Sequence, residues 1–261
     1  MTDTARIIAI ANQKGGVGKT TTSVNLATAM AACGRRVLLV DFDPQGNAST
    51  GFGIELDARH DANSYRLLTG EVGASEACHK TDIAGLDVLP AIVDLSAAEI
   101  ELAEVDAREF CLQTALQTVA SHYDYIFIDC PPSLGLLTVN ALCAADCVIV
   151  PLQCEFYALE GLSQLMRTIE MVQQGLNRHL VVQGIVLTMY DSRNKLSEMV
   201  ANDVRAHFGN LVYHTVIPRN VRISEAPSFG QPVLIYDLKC AGAQAYVALA
   251  AELLSQEKEA A

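Results

Sequence analysis

The chain has 261 residues, of which 51% are hydrophobic and 18% charged, so it can build a sizeable core and does not have the composition of a disordered protein. No apolar run approaches the ~20 residues of a membrane-spanning helix, and the N-terminal segment lacks the pattern of a signal peptide, which predicts a cytoplasmic protein. The formal charge of −12 argues at first against nucleic acid as a ligand.

Short apolar runs rich in valine and isoleucine alternate with amphipathic stretches along the chain. Because the runs are almost continuously apolar, they predict strands that are covered on both faces, as in a parallel sheet. The predicted strands span 7–11, 37–40, 86–89, 125–128, 147–150, 181–187 and 211–217. The predicted helices span 19–32, 97–104, 109–120, 159–174, 196–208 and 243–254. This alternation predicts the α/β class, with a doubly wound, mostly parallel sheet, helices on both faces, and one domain spanning 1–261.

Eight cysteines are scattered through these predicted strands and helices. None forms a C-x-x-C pair, and the closest two, Cys143 and Cys147, have no histidine or second pair at zinc-site spacing. We therefore predict reduced, buried thiols with a structural role, and no metal site built from cysteine.

The negative charge is unevenly distributed along the chain. Residues 41–177 contain 21 acidic and 5 basic side chains, whereas residues 178–240 contain 7 basic and 5 acidic ones. A locally basic region inside an acidic chain is compatible with binding to phosphates, but by itself it does not identify a nucleic-acid-binding protein.

A glycine-rich segment follows the first predicted strand and precedes the first predicted helix. It comprises Lys14, Gly15, Gly16, Val17, Gly18, Lys19, Thr20 and Thr21. Consecutive glycines allow backbone N–H groups to point inward, and the helix N-terminus adds a partial positive charge, so the segment is expected to bind phosphates. In this pattern Lys19 reaches the β- and γ-phosphates and the Thr20 hydroxyl binds Mg²⁺. The strict G-x-x-x-x-G-K-[ST] pattern fails at one position, where Gln13 replaces the first glycine, and a second lysine, Lys14, is present.

The two lysines make this loop resemble that of the ParA/MinD superfamily of deviant Walker A ATPases. Two further motifs, each at the end of a predicted strand where such sheets bind ligands, agree with the resemblance. Residues 41–47, which read DFDPQGN, are similar to its switch I, and residues 126–132, which read IFIDCPP, are similar to its Walker B and switch II. Further stretches are similar to the ParA/Soj partitioning branch, at 150–155, 187–191 and 217–228. The resemblance runs from about residue 6 to residue 254.

The resemblance implies roles for individual residues and implies ATP and Mg²⁺ as ligands. Lys14 would reach across a dimer interface to the partner's nucleotide and, with Lys19 and Asp43, would serve catalysis. Asp43 would orient the attacking water or accept its proton. Asp41 would brace Lys14 or the metal shell. Mg²⁺ would be held by Thr20, Asp43 and Asp129, the last through a water.

Two further sets of residues follow from the same resemblance. The adenine base is expected to lie between Met189, Pro218 and Asn220. Taken alone, residues of these types more often belong to a core or a turn. Four basic residues are expected to contact DNA phosphates, namely Arg193, Lys195, Arg219 and Arg222. The alternative interpretation is that they are solvated surface charges with no ligand. Since no aromatic residues are interleaved with these cations, binding without sequence preference and with strong salt dependence is expected.

The implied function is that of a partitioning ATPase associated with the nucleoid. ATP would drive a sandwich homodimer that binds double-stranded DNA, and a ParB-type partner would stimulate hydrolysis and release it. An orphan ParA-like ATPase that positions a protein cargo is the main alternative. A MinD-like membrane ATPase is disfavoured because residues 251–261 are acidic rather than basic. Iron–sulfur relatives are disfavoured because no C-x-x-C pair is present.

Overall fold

The computed structural model describes residues 4–260, in which eight strands form one sheet. The strands are β1 Arg6–Ile10, β2 Val37–Asp41, β3 His79–Lys80, β4 Leu86–Leu89, β5 Tyr125–Asp129, β6 Cys147–Gln153, β7 Val181–Tyr190 and β8 Val212–Pro218. Their order across the sheet is β3-β4-β2-β5-β1-β6-β7-β8. All neighbouring pairs are parallel except β3 and β4. The predicted α/β class with a mostly parallel sheet is therefore confirmed.

Helices connect the strands, as right-handed crossovers between parallel strands require. They are α1 Lys19–Ala32, α2 Asn47–Gly51, α3 Ser64–Leu68, α4 Ala74–Ala77, α5 Ala98–Glu101, α6 Cys111–Gln117, α7 Leu136–Ala144, α8 Ala158–Gly175, α9 Lys195–Phe208, α10 Val221–Glu225, α11 Val233–Tyr236 and α12 Ala241–Ala260. Helix α7 was not predicted, because seven of its nine residues are buried and its sequence therefore has no amphipathic period. Strand β3 was not predicted either, since two residues are too few to produce a pattern.

The sheet separates two hydrophobic cores. Successive side chains of a strand point to opposite faces, so Ile126 and Ile128 of β5 pack in one core while Phe127 packs in the other. All five residues of β2 and of β5 are buried, which explains why these segments read as continuous apolar runs.

The strand register brings the carboxyl ends of the central strands together. Ile10 of β1 and Asp41 of β2 are both paired with Asp129 of β5. The phosphate loop that follows β1 and the acidic motifs that end β2 and β5 therefore meet at one edge of the sheet, as expected for an α/β ligand site.

The cysteines are free thiols, but the expectation that they are all buried is wrong. Cys33 is exposed in the turn after α1, and three others are half-buried, namely Cys78, Cys111 and Cys240. Within residues 4–260, no helix combines the length and the apolar character needed to cross a membrane.

Candidate nucleotide-binding site

The phosphate loop lies between the end of β1 and the start of α1. Gly16 and Gly18 have φ angles of 75° and 88°, in the left-handed region that glycine adopts at little cost. Gly18 immediately precedes α1, so the turn leads directly into the helix N-terminus. The Lys19 side chain is buried, and its ammonium donates a 3.1 Å hydrogen bond to the Lys14 carbonyl oxygen. Glycine turns, a helix N-terminus and a buried lysine thus form the cradle that phosphates require.

The first residues of the loop are anchored to β6 and α8 by side chains that the sequence motif does not mark. Asn12 donates from Nδ2 to the carbonyl oxygen of Pro151 at 2.8 Å. Gln13, which occupies the position of the first glycine, donates from Nε2 to the Gly161 carbonyl oxygen at 3.1 Å and to Gln164 Oε1 at 2.7 Å. Gln13, the residue that departs from the strict pattern, therefore attaches the loop to α8.

Lys14 forms an ion pair with Glu155, which lies in the segment between β6 and α8. Asp41, which was expected to brace Lys14 or the metal shell, has no hydrogen bond or ion pair with Lys14 among the described residues, and its role in the metal shell stays a prediction. Asp41 is fully buried, and its Oδ2 accepts hydrogen bonds from the backbone N of Ser49 at 2.7 Å and from its hydroxyl at 2.6 Å. The Asp41 carboxylate is thus held at the start of α2, while Lys14 is held by Glu155.

Asp129, like Asp41, is a fully buried acid of the site. Its Oδ1 accepts a 2.8 Å hydrogen bond from the Ser23 hydroxyl, whereas Oδ2 is buried and has no hydrogen-bond partner among the described residues. Burial, and then the neighbouring charge of Asp41, raise the pKa of Asp129 well above its ordinary value. An ionised carboxylate in this position needs a cation to balance it.

A divalent cation fits this chemistry. The Thr20 hydroxyl lies beside the Asp129 carboxylate and lowers its pKa, against the larger effect of burial. Hydroxyl and carboxylate oxygens are the ligands that Mg²⁺ prefers, usually with several retained waters. Lys19 is the nearby positive charge, and burial lowers its pKa while the charge of Asp129 acts in the opposite direction.

Asp43 lies two residues beyond Asp41 and faces a different environment. Its Oδ1 accepts a 3.0 Å hydrogen bond from the backbone N of Gln45, and its charge acts on Lys19 across the loop. The two acids face different groups, although positions i and i+2 of an extended strand share one face. They diverge because β2 ends at Asp41 and Asp43 lies in the segment that follows, with Asp41 directed to α2 and Asp43 near Lys19 of the phosphate loop.

The three residues expected around the adenine base line one cavity of about 280 Å³. Met189, Pro218 and Asn220 share this cavity with Gly18 and Thr21 of the phosphate loop. Met189 has a φ angle of 49° at an irregularity in the pairing of β7 and β8. A left-handed conformation in a non-glycine residue costs ~1–3 kcal/mol and is typical of functional sites.

The four basic residues expected to contact DNA are all exposed, but they differ in their partners. Arg193 is paired with Asp191, and Arg222 is paired with both Glu225 and Asp237. Arg219 and Lys195 have no ion pair within the part of the chain that the structure describes. Arg219 also borders the adenine-sized cavity.

Sequence reasoning missed three residues that contact the site, namely Ser23, Ser49 and Glu155. A signal was present for Ser23, since a small polar residue four positions after Lys19 lies on the same face of α1. Ser49 and Glu155 gave no comparable signal, because their partners are specified by the packing of the loops.

Comparisons with known proteins identify the relatives of this chain. A family model described as an AAA domain matches residues 5–182. Chromosome partitioning protein ParA of Caulobacter vibrioides is 62% identical over 256 residues, covering 97% of this chain and 96% of that protein. Chromosome-partitioning ATPase Soj of Thermus thermophilus is 49% identical over 255 residues, covering 98% of both chains.

A solved structure with a different name has a similar fold. Cobyrinic acid a,c-diamide synthase of Mycobacterium smegmatis, with a bound ATP analogue and magnesium, is 42% identical at a TM-score of 0.86, covering 98% of this chain and 97% of that chain. Relatives of higher identity that are named for chromosome partitioning extend over nearly the whole chain, as the resemblance of the three motifs implied. The chain belongs to the ParA/Soj family of chromosome-partitioning ATPases.

Proposed function

We propose that this chain partitions DNA by a cycle of ATP-dependent dimerisation, DNA binding and hydrolysis, within one ATPase domain that spans 1–261. The observation that carries the proposal is the meeting of the phosphate loop, Asp43 and the unpartnered Asp129 oxygen at one edge of the sheet. The names of the relatives support partitioning as the process served by this site.

Binding of Mg·ATP is assigned to the loop and its neighbours. The backbone N–H groups from Gly15 to Thr21, with Lys19, would bind the phosphates, and Met189, Pro218 and Asn220 would enclose the adenine. Thr20, Asp129 and Asp43 would hold Mg²⁺. When bound, the metal neutralises charge on the phosphate oxygens.

Hydrolysis is assigned to Asp43, acting on a water beside the terminal phosphate. Phosphoryl transfer depends mainly on positioning and on charge stabilisation, so a carboxylate that orients the water or accepts its proton is the expected contribution. Lys19 stabilises the charge within the same chain. Lys14 would add a second positive charge from the partner subunit.

The surface around Lys14 supports a sandwich homodimer. Lys14 is half-exposed, and the segment that carries its partner Glu155 continues into Phe156 and Tyr157, which are 72% and 67% exposed. Large exposed aromatic side chains are typical of protein interfaces. A second copy of the chain would cover these rings as Lys14 approaches its nucleotide.

DNA binding is assigned to the basic residues beyond β7. Arg219 and Lys195 are the first candidates for phosphate contacts, because neither forms an ion pair within residues 4–258. Arg193 and Arg222 are the second candidates, because acidic side chains already neutralise them. Two such surfaces in a dimer would give an acidic chain a continuous basic face. Contacts to phosphates alone would bind double-stranded DNA without sequence preference.

The proposal is tested with the purified chain and two unrelated DNA duplexes. We expect ATP and Mg²⁺ together to produce a dimer by light scattering, and the dimer to bind both duplexes with equal affinity that falls steeply with salt. Lys19→Ala should abolish both effects. An ATP-bound protein that stays monomeric, or that binds neither duplex, would refute the proposal.

The partner is tested by adding the ParB-type protein from the same organism, which we expect to raise the ATPase rate. The orphan, cargo-positioning alternative predicts no stimulation by any ParB-type protein. We further propose that the protein acts in the cytoplasm on the nucleoid, so a fluorescent fusion should follow the DNA, and the Arg219→Glu variant should become diffuse.

A further inference from the structure

Arg59 is a buried arginine close to the switch I segment, with an exposed fraction of only 3%. Its Nε donates to the Ile54 carbonyl oxygen at 2.8 Å and its Nη2 to the Thr50 hydroxyl at 2.9 Å. Its Nη1 donates to the carbonyl oxygens of Gly46 at 3.0 Å and of Ala91 at 3.5 Å. Across the described chain, no carboxylate lies within ion-pair distance of its guanidinium.

One arm of this guanidinium fixes the turn that begins at Asp43. Gly46 donates its N–H to the Asp43 carbonyl oxygen at 2.9 Å and accepts from Arg59 through its own carbonyl. A Cβ at position 46 would lie 2.6 Å from Nη1, and the φ angle of 63° also favours glycine. A side chain at position 46 would therefore collide with Arg59, so the hydrogen bond between Arg59 and the turn depends on glycine at this position.

Through Ala91, Arg59 is also connected to Asp41, the other acid of the switch I segment. Ala91 donates its N–H to the Ser49 hydroxyl at 3.0 Å, and the same hydroxyl donates to Asp41 Oδ2 at 2.6 Å. Arg59 is thus joined by short hydrogen-bonded paths to the backbone of Asp43 and to the carboxylate of Asp41.

Stability alone does not account for an arginine at this position. The hydrogen-bond acceptors of this buried cation are all neutral, and although the charges of Asp41 and Glu55 favour it, burial outweighs them and lowers the pKa of Arg59. A well-packed apolar residue often stabilises a fold as well as such a buried charge, or better. A planar guanidinium can, however, hold carbonyls from several segments in one fixed arrangement, which the flexible ammonium of lysine cannot reproduce.

We propose that Arg59 is a positioning residue for hydrolysis, because it holds residues 43–54 in the arrangement that aims Asp43 at the phosphate loop. The inference rests on the proposed role of Asp43. Arg59 itself lies behind the loop and touches neither nucleotide nor metal in this assignment.

The test compares Arg59→Met and Arg59→Lys with a matched control, Arg6→Met. Arg6 is also partly buried, and it bonds to Glu257 and Gln183 at the opposite end of β1. In Arg59→Met we expect kcat to fall about tenfold with the KM for ATP changed less than about twofold, since misplacement of a catalytic group affects the chemical step. Arg59→Lys should recover part of kcat, and Arg6→Met should keep the parental value.

Hydrogen exchange of the nucleotide-free protein gives a readout that does not depend on ATPase activity. In both Arg59 variants, the amides of Gly46, Ser49 and Thr50 should exchange faster than in the parent, while those of residues 19–32 should not. If Arg59→Met fails to fold, Arg59→Lys decides the outcome. Parental kcat and parental exchange in a folded Arg59 variant, or an equal loss of kcat in Arg6→Met, would overturn the inference.

If the parent chain hydrolyses no ATP but exchange at 46–50 still depends on Arg59, the proposed function fails while the positioning contact stands. If the parent is an active ATPase and the Arg59 variants exchange and turn over normally, only the inference fails. The two results are therefore distinguishable.

Discussion

Lys14 and Glu155 form an ion pair within one chain, although they lie 141 residues apart in the sequence. Their side chains are 42% and 45% exposed, and an ion pair at such a surface contributes only ~0–1 kcal/mol. The contact holds the loop lysine beside its own subunit. In the proposed dimer, Lys14 would have to leave Glu155 before it could approach the nucleotide of the second subunit.

Removing this restraint should favour the dimer. Glu155→Gln preserves the size of the side chain but not its charge, so we expect dimers at a lower ATP or protein concentration, by at most about fivefold, as a surface ion pair allows. Light scattering across a protein dilution series measures the midpoint. The control is Lys14→Ala, which should weaken the dimer while one subunit still binds ATP. Equal midpoints for parent and Glu155→Gln would mean that the ion pair does not restrain Lys14.

Asp43 should be needed for hydrolysis but not for binding. Asp43→Ala should lower turnover by ~10²-fold or more, on the scale of general-base loss, with ATP affinity unchanged or higher because a charge near the γ-phosphate is removed. Asp41→Ala should instead unfold the switch region, since Asp41 accepts two hydrogen bonds from Ser49. Turnover and equilibrium ATP binding distinguish the two variants. Near-parental turnover in Asp43→Ala would contradict the assignment.

The nucleotide-free protein should lose stability as the pH rises through neutrality. Burial raises the pKa of Asp129 to about 8, so the folded state holds this proton more tightly than the unfolded chain, whose carboxyl has its ordinary pKa of about 4. This contribution to stability is complete below about pH 4 and is lost as the pH rises through about 8. Asp129→Asn should therefore show a smaller fall in unfolding temperature between about pH 5 and pH 8. Parallel curves for parent and variant would contradict this.

We assign Asn220 two separable tasks. Its side-chain oxygen accepts the Arg222 N–H at 2.8 Å and caps α10, and its NH₂ group is not used by this cap and is available to donate to adenine in the cavity that Asn220 lines, the proposed base site. Asn220→Asp keeps the cap and removes the donor, so KM for ATP should rise about two- to tenfold, the value of one hydrogen bond, with little loss of stability. Asn220→Ala should lose both. Unchanged KM in Asn220→Asp would remove Asn220 from the base site.

The two classes of basic residue should differ in DNA binding. Arg219→Glu should weaken binding to unrelated duplexes alike and reduce the slope of log K against log salt by roughly one. Arg193→Glu is the matched control, since Arg193 is also exposed but already bound to Asp191 through Nε at 2.9 Å and Nη2 at 3.0 Å. Its effect should be smaller. An equal loss in both variants would show that the internal ion pair does not matter.

The local parts of this protein could be predicted from the sequence. Apolar runs specify strands because a strand buried on both faces must be apolar, and α1 begins and ends where the pattern predicted. The loop of Gly16, Gly18 and Lys19 could also be predicted, because the residues it needs are adjacent in the sequence. Glycines adopt the positive φ angles of the loop, and a lysine supplies the cation near phosphate. The adenine residues were predicted only through family resemblance, because a methionine or proline alone has no distinctive chemistry.

Only the tertiary structure decided which distant side chains complete the site. Ser23 meets Asp129 across 106 residues, and Glu155 meets Lys14 across 141. Arg59 reaches Ala91 in a loop that follows a different strand. Such contacts depend on the order of the strands and on the path of the loops, and no periodicity encodes them. The sequence by itself determined that phosphates would be bound at the end of β1, while the packing of the sheet and its loops determined which acids and hydroxyls lie beside the phosphate loop and which arginine supports the turn behind it.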